Sequence, residues 1–145
     1  MAIVQRSVQI NASPQDTMER LGDASRWPEW YPGMGDLTVT APFPDAGGKV
    51  DFKVKSAGLS MPITETVLEY LPAQLQVLQM DGMLSGRARW ELAPEGDGTR
   101  LTTTFDYALP GGVLGRIADA LIVKRMNGKS LEQGLRNFKA FVERH

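Results

Sequence analysis

No cysteine occurs in the sequence, and its one histidine is the last residue, His145. The first absence removes disulfide frameworks, thiol nucleophiles and cysteine-type zinc sites. The second removes histidine triads, multi-histidine metal sites and histidine general bases, since a residue at a chain end is usually mobile and solvated. Proton chemistry is left to carboxylates, tyrosine, lysine, arginine and hydroxyls. A charge excess is missing as well. The 16 Lys and Arg stand against 17 Asp and Glu, a formal charge of -1, whereas a nucleic-acid binder normally carries a clear basic excess. Nucleic acid is therefore not an expected partner. No apolar run approaches a membrane span, and the opening MAIVQRSVQINAS lacks the basic and long apolar regions of a signal peptide. The cytoplasm is the expected compartment. Internal repeats, low-complexity tracts, metal-ligand spacings and cofactor motifs are all absent; Gly111-Gly112 precedes a helix but lacks the Walker and Rossmann spacing. No cofactor is expected. A chain of 145 residues suits a single domain, 1–145, with a proper core.

What is present begins with a helix-period segment between Val113 and Val142. Leu114, Ile117, Leu121, Leu131, Leu135, Phe138 and Val142 fall on one stripe. The stripe fails at mid-length, where Lys124, Arg125 and Gly128 lie near the seam. A helix packed tightly on a sheet keeps large side chains along its whole seam, so the break predicts a helix covering a hollow.

Upstream, Ile3 to Ile10 alternate in the strand period. Ser13 then reads as an N-cap, Pro14 as the first helical position and Asp16 as an acid at the positive dipole end. That helix should end near Leu21-Gly22, with Asp23 capping a second short turn through Trp27. From Asp36 to Tyr107, Gly47-Gly48, Gly58, Leu71-Pro72, Asp81-Gly82 and Gly96-Asp97-Gly98 punctuate strand-length segments, read as antiparallel hairpins in series. Val50, Phe52 and Val54 share one face and Asp51, Lys53 and Lys55 the other. Gly86, Ala88, Trp90 and Leu92 oppose Arg87, Arg89 and Glu91; Leu101, Thr103, Phe105 and Tyr107 oppose Arg100, Thr102, Thr104 and Asp106. From Met61 to Tyr70 and from Leu75 to Met80 the phase is ambiguous, because Thr66, Leu68 and Tyr70 compete with Ile63 and Val67 for the inner face.

A strand, two short helices, about six antiparallel strands and a long C-terminal helix form a distinctive order. With Val8-x-Ile10-x-Ala12-x-Pro14, Asp23-x-x-x-Trp27-Pro28-x-Trp30-x-Pro32, Gly47-Gly48, Trp90-x-Leu92 before Gly98-Thr99-Arg100, and Leu135-x-x-Phe138-Lys139-x-x-Val142-Glu143, the whole chain resembles the START and birch-pollen-allergen-like (SRPBCC) superfamily. The similarity is to its bacterial polyketide cyclase/dehydrase-like branch. The resemblance implies an α+β helix-grip fold: a seven-stranded curved antiparallel sheet wrapped around a long C-terminal helix, with a deep, largely apolar cavity between them. Members bind lipids, hormones, quinones or polyketides, and only some are catalysts, so the fold locates the site without fixing its chemistry. No catalytic motif carries over residue by residue.

Within that frame the expected ligand-binding residues are Tyr31, Phe52, Val54, Trp90, Phe105, Tyr107, Leu121 and Lys124. Trp27, Trp30 and Tyr31 either guard the cavity mouth or touch the ligand; for Trp27 and Trp30 the favoured reading is packing mass stapling the short helices to the sheet, and Tyr31 is the residue at the mouth. Trp90 and Phe105 either line the pocket or fill the core. The Tyr107 hydroxyl either orients a ligand or reaches solvent. Lys124, if it faces the sheet, needs a ligand carboxylate or phosphate; otherwise it and Arg125 reach water. Met34, Met61, Met80 and Met83 suit an adaptable pocket or simple gap-filling. Glu65, Glu69 and Asp106 are the carboxylates on strands, and one buried beside a ligand would gain a raised pKa and serve as general base.

Seven basic residues from Arg116 to Arg144 outnumber Asp119, Glu132 and Glu143, as a solvated face requires, with transient contact to an anionic membrane surface as the other reading. Ile122, Val123 and Met126 lie off the stripe, beneath a loop or against a partner. The expected function is binding of a lipid, fatty acid, quinone or polyketide-like molecule. The alternatives are a cyclase/dehydratase using the same cavity and an interaction protein using the apolar helix surface. The sequence sets no oligomeric state.

Overall fold

The structure is a computed structural model that describes residues 2–56, 58–108 and 117–144, without the side chains of 56, 59 and 117–121. Strand β1 (Ala2–Ile10) leads into helix α1 (Pro14–Leu21) and a 3-10 helix (Ala24–Glu29). Six further strands follow: β2 (Met34–Thr40), β3 (Lys49–Ser56), β4 (Leu59–Leu71), β5 (Leu75–Gly82), β6 (Ser85–Glu95) and β7 (Gly98–Ala108). Helix α2 (Ile117–Arg144) closes the order. All pairings are antiparallel, in the spatial order β1-β7-β6-β5-β4-β3-β2. The seven-stranded curved sheet and the C-terminal helix are the helix-grip architecture expected from the sequence.

The local signals act as read. Ser13 Oγ accepts from the Asp16 amide at 3.1 Å, Pro14 opens α1, and the Gly22 amide closes it on the Met18 carbonyl at 2.8 Å. Asp23 differs from expectation. It precedes the 3-10 helix without capping it, because its carboxylate accepts the Ser25 hydroxyl at 2.6 Å instead. The second turn runs on past Trp27 to Glu29.

The alternating faces of β3, β6 and β7 place Val50, Phe52, Val54, Ala88, Trp90, Leu92, Leu101, Thr103 and Tyr107 inside. The ambiguous phase of β4 is resolved by a bulge. Val67 pairs with Leu78 and Glu69 with Val77, so Leu68 is an extra residue, exposed and unpaired in the register. Before the bulge Met61, Ile63, Glu65 and Val67 face inward; beyond it the phase flips and Tyr70 packs against the core.

Helix α2 lays Leu131, Leu135, Phe138, Phe141 and Val142 on the sheet. Leu114 lies outside the described residues, as do the side chains of Ile117 and Leu121. Residues 122–127 include no buried side chain, and burial begins at Gly128, where a Cβ would stand 2.9 Å from Arg6 Nη2. Ile122 is 54% exposed, while Val123 and Met126 are half-buried.

The connection from α1 to β2 is held down by aromatic contacts. Trp27 meets Phe43 and Phe52 edge-on at 5.6 and 6.3 Å, and its indole donates to the Leu21 carbonyl at 2.8 Å. Trp30 sits 4.7 Å from Phe138 of α2 and 6.2 Å from Trp90 of β6. Such edge and tilted pairs stabilise beyond the area they bury. Asn137 completes the attachment by donating to the Trp30 carbonyl at 3.0 Å.

Candidate functional site

Between the concave face of the sheet and α2 remains a cavity of about 50 Å³. The chain segment after α1 gives it Trp27, Trp30, Tyr31 and Met34. Strands β3 to β5 give Phe52, Val54, Met61, Ile63, Glu65 and Met80. Leu84, Trp90 and Phe105 line the far side, and Asn127 and Ser130 come from α2. Tyr31, Met34, Phe105, Asn127 and Ser130 keep partial exposure and form the rim; the rest are buried. The volume admits a few waters and is smaller than a drug-sized ligand, so occupation by anything larger requires side chains to move. Met34, Met61 and Met80 are unbranched and suited to that.

The polar groups of this site are few and poorly satisfied. Glu65, 7% exposed, makes no ion pair among the described residues, and no Lys, Arg or His is among the described lining residues. Burial pushes its carboxyl up from the usual 4.5 to about 7. The Tyr31 hydroxyl is pushed up too, first by burial and then by the neighbouring Glu65 charge and Tyr107. Tyr107, 1% exposed, has its hydroxyl raised by burial, with the Asn127 carboxamide acting in the opposite direction. The two stand close without meeting hydrogen-bond geometry: the Tyr107 hydroxyl and Asn127 Nδ2 are both buried and unpartnered among the described residues. Trp30 Nε1 is a third such orphan. Buried donors without partners are uncommon in folded proteins, and a bound molecule is one way they are satisfied.

Five of the eight residues expected from the sequence, Tyr31, Phe52, Val54, Trp90 and Phe105, line this cavity. Tyr107 lies behind Asn127, its hydroxyl turned inside rather than to solvent. The Leu121 side chain lies outside the described residues. Lys124 is a correction: it is exposed and absent from the lining. Its stretch of α2 has no buried side chain, and its flexible stem carries the ammonium to water, where it loses no solvation. The helix meets the cavity instead through Asn127 and Ser130, which share a face with Leu131 and Gly134 at the helical spacing. That spacing was visible in the sequence, but neither residue type advertises a site. Among the carboxylates, Glu65 is in the cavity, Glu69 is exposed, and Asp106 lies on the outer face of β7. Trp27 and Trp30 serve packing and cavity wall at once. No group of three or more potential metal ligands occurs among the described residues, and no described helix is long and apolar enough to cross a membrane.

Sheet, gripped helix and intervening apolar cavity define a hydrophobic-ligand-binding fold. The chain belongs to the family described as polyketide cyclase / dehydrase and lipid transport, which it matches over residues 1–143. Among solved structures it is similar to TTHA0849 of Thermus thermophilus, with 20% identity, coverage of 97% of this chain and 96% of that one, and a TM-score of 0.81. The Zhui aromatase/cyclase of Streptomyces sp. R1128 gives 17% identity, coverage of 98% and 93%, and a TM-score of 0.81. The di-domain aromatase/cyclase StfQ of the steffimycin pathway gives 20% identity and a TM-score of 0.81, with 99% of this chain matching 51% of that one. At these identities the likeness is one of fold. Among curated proteins none matches the sequence.

Proposed function

We propose that the protein binds a hydrophobic or amphipathic small molecule in the cavity between sheet and α2. The carrying observation is the combination of an apolar, largely aromatic and methionine-lined hollow with unpartnered polar atoms beside it at Trp30, Tyr107 and Asn127. The walls supply the driving force by burial, and the few polar groups orient the ligand. Native mass spectrometry of freshly purified protein, with denaturing extraction of any released molecule, tests this directly. A stoichiometric apolar passenger supports the reading. Val54→Phe, which adds bulk to the cavity wall, should prevent uptake with the far-UV spectrum unchanged; normal uptake by that variant rules this pocket out.

A second reading is favoured by Glu65. A carboxyl with a pKa of about 7 inside an apolar cavity is suited to give and take protons at neutral pH, as a cyclase or dehydratase requires. Under that reading Glu65→Gln retains binding of a neutral polyketide-like substrate and loses its turnover. An unchanged rate removes the catalytic role.

A further inference from the structure

The cavity combines two features that the proposed binding role does not by itself require. Six of its walls are aromatic, namely Trp27, Trp30, Tyr31, Phe52, Trp90 and Phe105. Among the described lining residues its one charged side chain is an acid, Glu65. We propose that the ligand carries a cationic amine or quaternary ammonium group on an apolar body, with Glu65 as its counter-ion and the aromatic walls around its charge. The inference rests on the reading of this cavity as a ligand site.

Three physical arguments carry it. A buried carboxylate without a counter-charge is unfavourable, and a ligand cation supplies the missing partner. A ligand carboxylate or phosphate would instead set a like charge beside Glu65, and the described lining residues offer it no cation. Lys124 and Arg125, the basic residues of the α2 segment next to Asn127, are exposed. Aromatic faces attract cations electrostatically, most strongly tryptophan, when the charge lies within about 6 Å of the ring centre. The orphaned donors at Trp30 and Asn127, which line the cavity, add one requirement: an acceptor oxygen elsewhere on the same molecule. A fatty acid is thereby disfavoured as the ligand.

Among the described residues the titratable group interacting with Glu65 is Tyr31, from the turn before β2, and Tyr107, from β7, is in turn a neighbour of Tyr31. Both hydroxyls are raised above their ordinary value and stay neutral at and below mildly alkaline pH. Acidification therefore changes the charge of Glu65 alone among the described cavity groups.

The test uses three probes with one tail: octyltrimethylammonium, 1-octanol and octanoate. All 3 tryptophans of the chain line the cavity, so a shift or change in intensity of their emission reports occupation. At about pH 8.5 the ammonium should bind about tenfold more tightly than the alcohol, with octanoate weakest. Glu65→Gln should erase the preference while keeping octanol affinity, which also shows that the variant folds. Lowering the pH of the unsubstituted protein to about 5.5 should weaken the ammonium several-fold and leave octanol unchanged, since the probe's own charge is fixed and Glu65 takes up a proton. Octanol or octanoate binding as tightly as the ammonium overturns the head-group inference and leaves the cavity standing. No response to any of the three overturns the cavity reading, and this inference with it.

Discussion

The Tyr31 ring leans on Gly134 of α2: a Cβ built on that glycine would stand 3.1 Å from Tyr31 Cδ2. The contact sets how close the rim residue comes to the helix, and it puts a helix-weakening residue in the middle of α2. Gly134→Ala should raise helix stability by about 0.5–1 kcal/mol. Tyr31 is partly exposed and free to shift by the few tenths of an ångström required. The expected outcome is a melting temperature higher by about 2–4 °C with altered ligand affinity. A fall of several degrees in a thermal melt would show that the ring is locked.

Glu65 should govern the pH dependence of stability in a direction opposite to that of most carboxylates. Its folded-state pKa, about 7, is raised above the usual 4.5. Between those values the folded state holds a proton that the unfolded chain has released, so stability falls as pH rises through this window and levels off above it. Glu65→Gln should therefore be nearly neutral near pH 4.5 and stabilising above pH 7, by up to roughly 3 kcal/mol if the full shift is realised. Denaturant titrations at both ends of the window measure this, and a pH-independent difference between the two proteins contradicts it.

The Tyr107 hydroxyl is buried without a partner among the described residues, so its deletion relieves an unfavourable desolvation. Tyr107→Phe should leave stability unchanged or raise it by about 1 kcal/mol. If the hydroxyl orients the ligand, affinity falls several-fold in the same variant. A clear loss of stability in urea would reveal a hydrogen bond that the folded protein does make.

Phe138 is fully buried and touches both Trp30 and Phe141, at ring separations of 4.7 and 6.5 Å. Phe138→Ala should lower stability by about 3–5 kcal/mol. It should also disturb the cavity through Trp30. Calorimetry checks the first effect and the tryptophan emission spectrum the second; a loss below about 1 kcal/mol would mean that the neighbours collapse into the space.

The sequence displayed its architecture wherever a strand keeps one phase. Val50, Phe52 and Val54, or Leu101, Thr103 and Tyr107, declare their inner face by alternation alone. It concealed the site where that regularity breaks. On β4 an acid occupies an inward position at Glu65, and directly after Val67 the bulge at Leu68 reverses the phase. Neither polarity nor period assigns such a segment, because a one-residue slip moves every following side chain to the other face. Lys124 failed for a different reason. Periodicity places it in line with Leu131, but a helix presents a residue to the core only where another element covers it, and residues 122–127 show no buried side chain. The broken stripe did point to a hollow; its polar helix contributors are Asn127 and Ser130.

The sheet order also fixes when the cavity can exist. Ala2 pairs with Tyr107 and Ile10 with Thr99, so the first strand finds its neighbour only after nearly all the other strands have been made. The rim is equally divided in the chain, with Tyr31 from its first quarter and Asn127 and Ser130 from its last. Such long-range closure slows folding and leaves apolar strand faces uncovered while it is pending. On a ribosome, the aromatic wall around Trp27 and Trp30 would emerge well before the helix that completes the enclosure. An enclosed cavity thus exists only once helix and sheet have docked, and a molecule that fits it would act as a folding aid by favouring that last step.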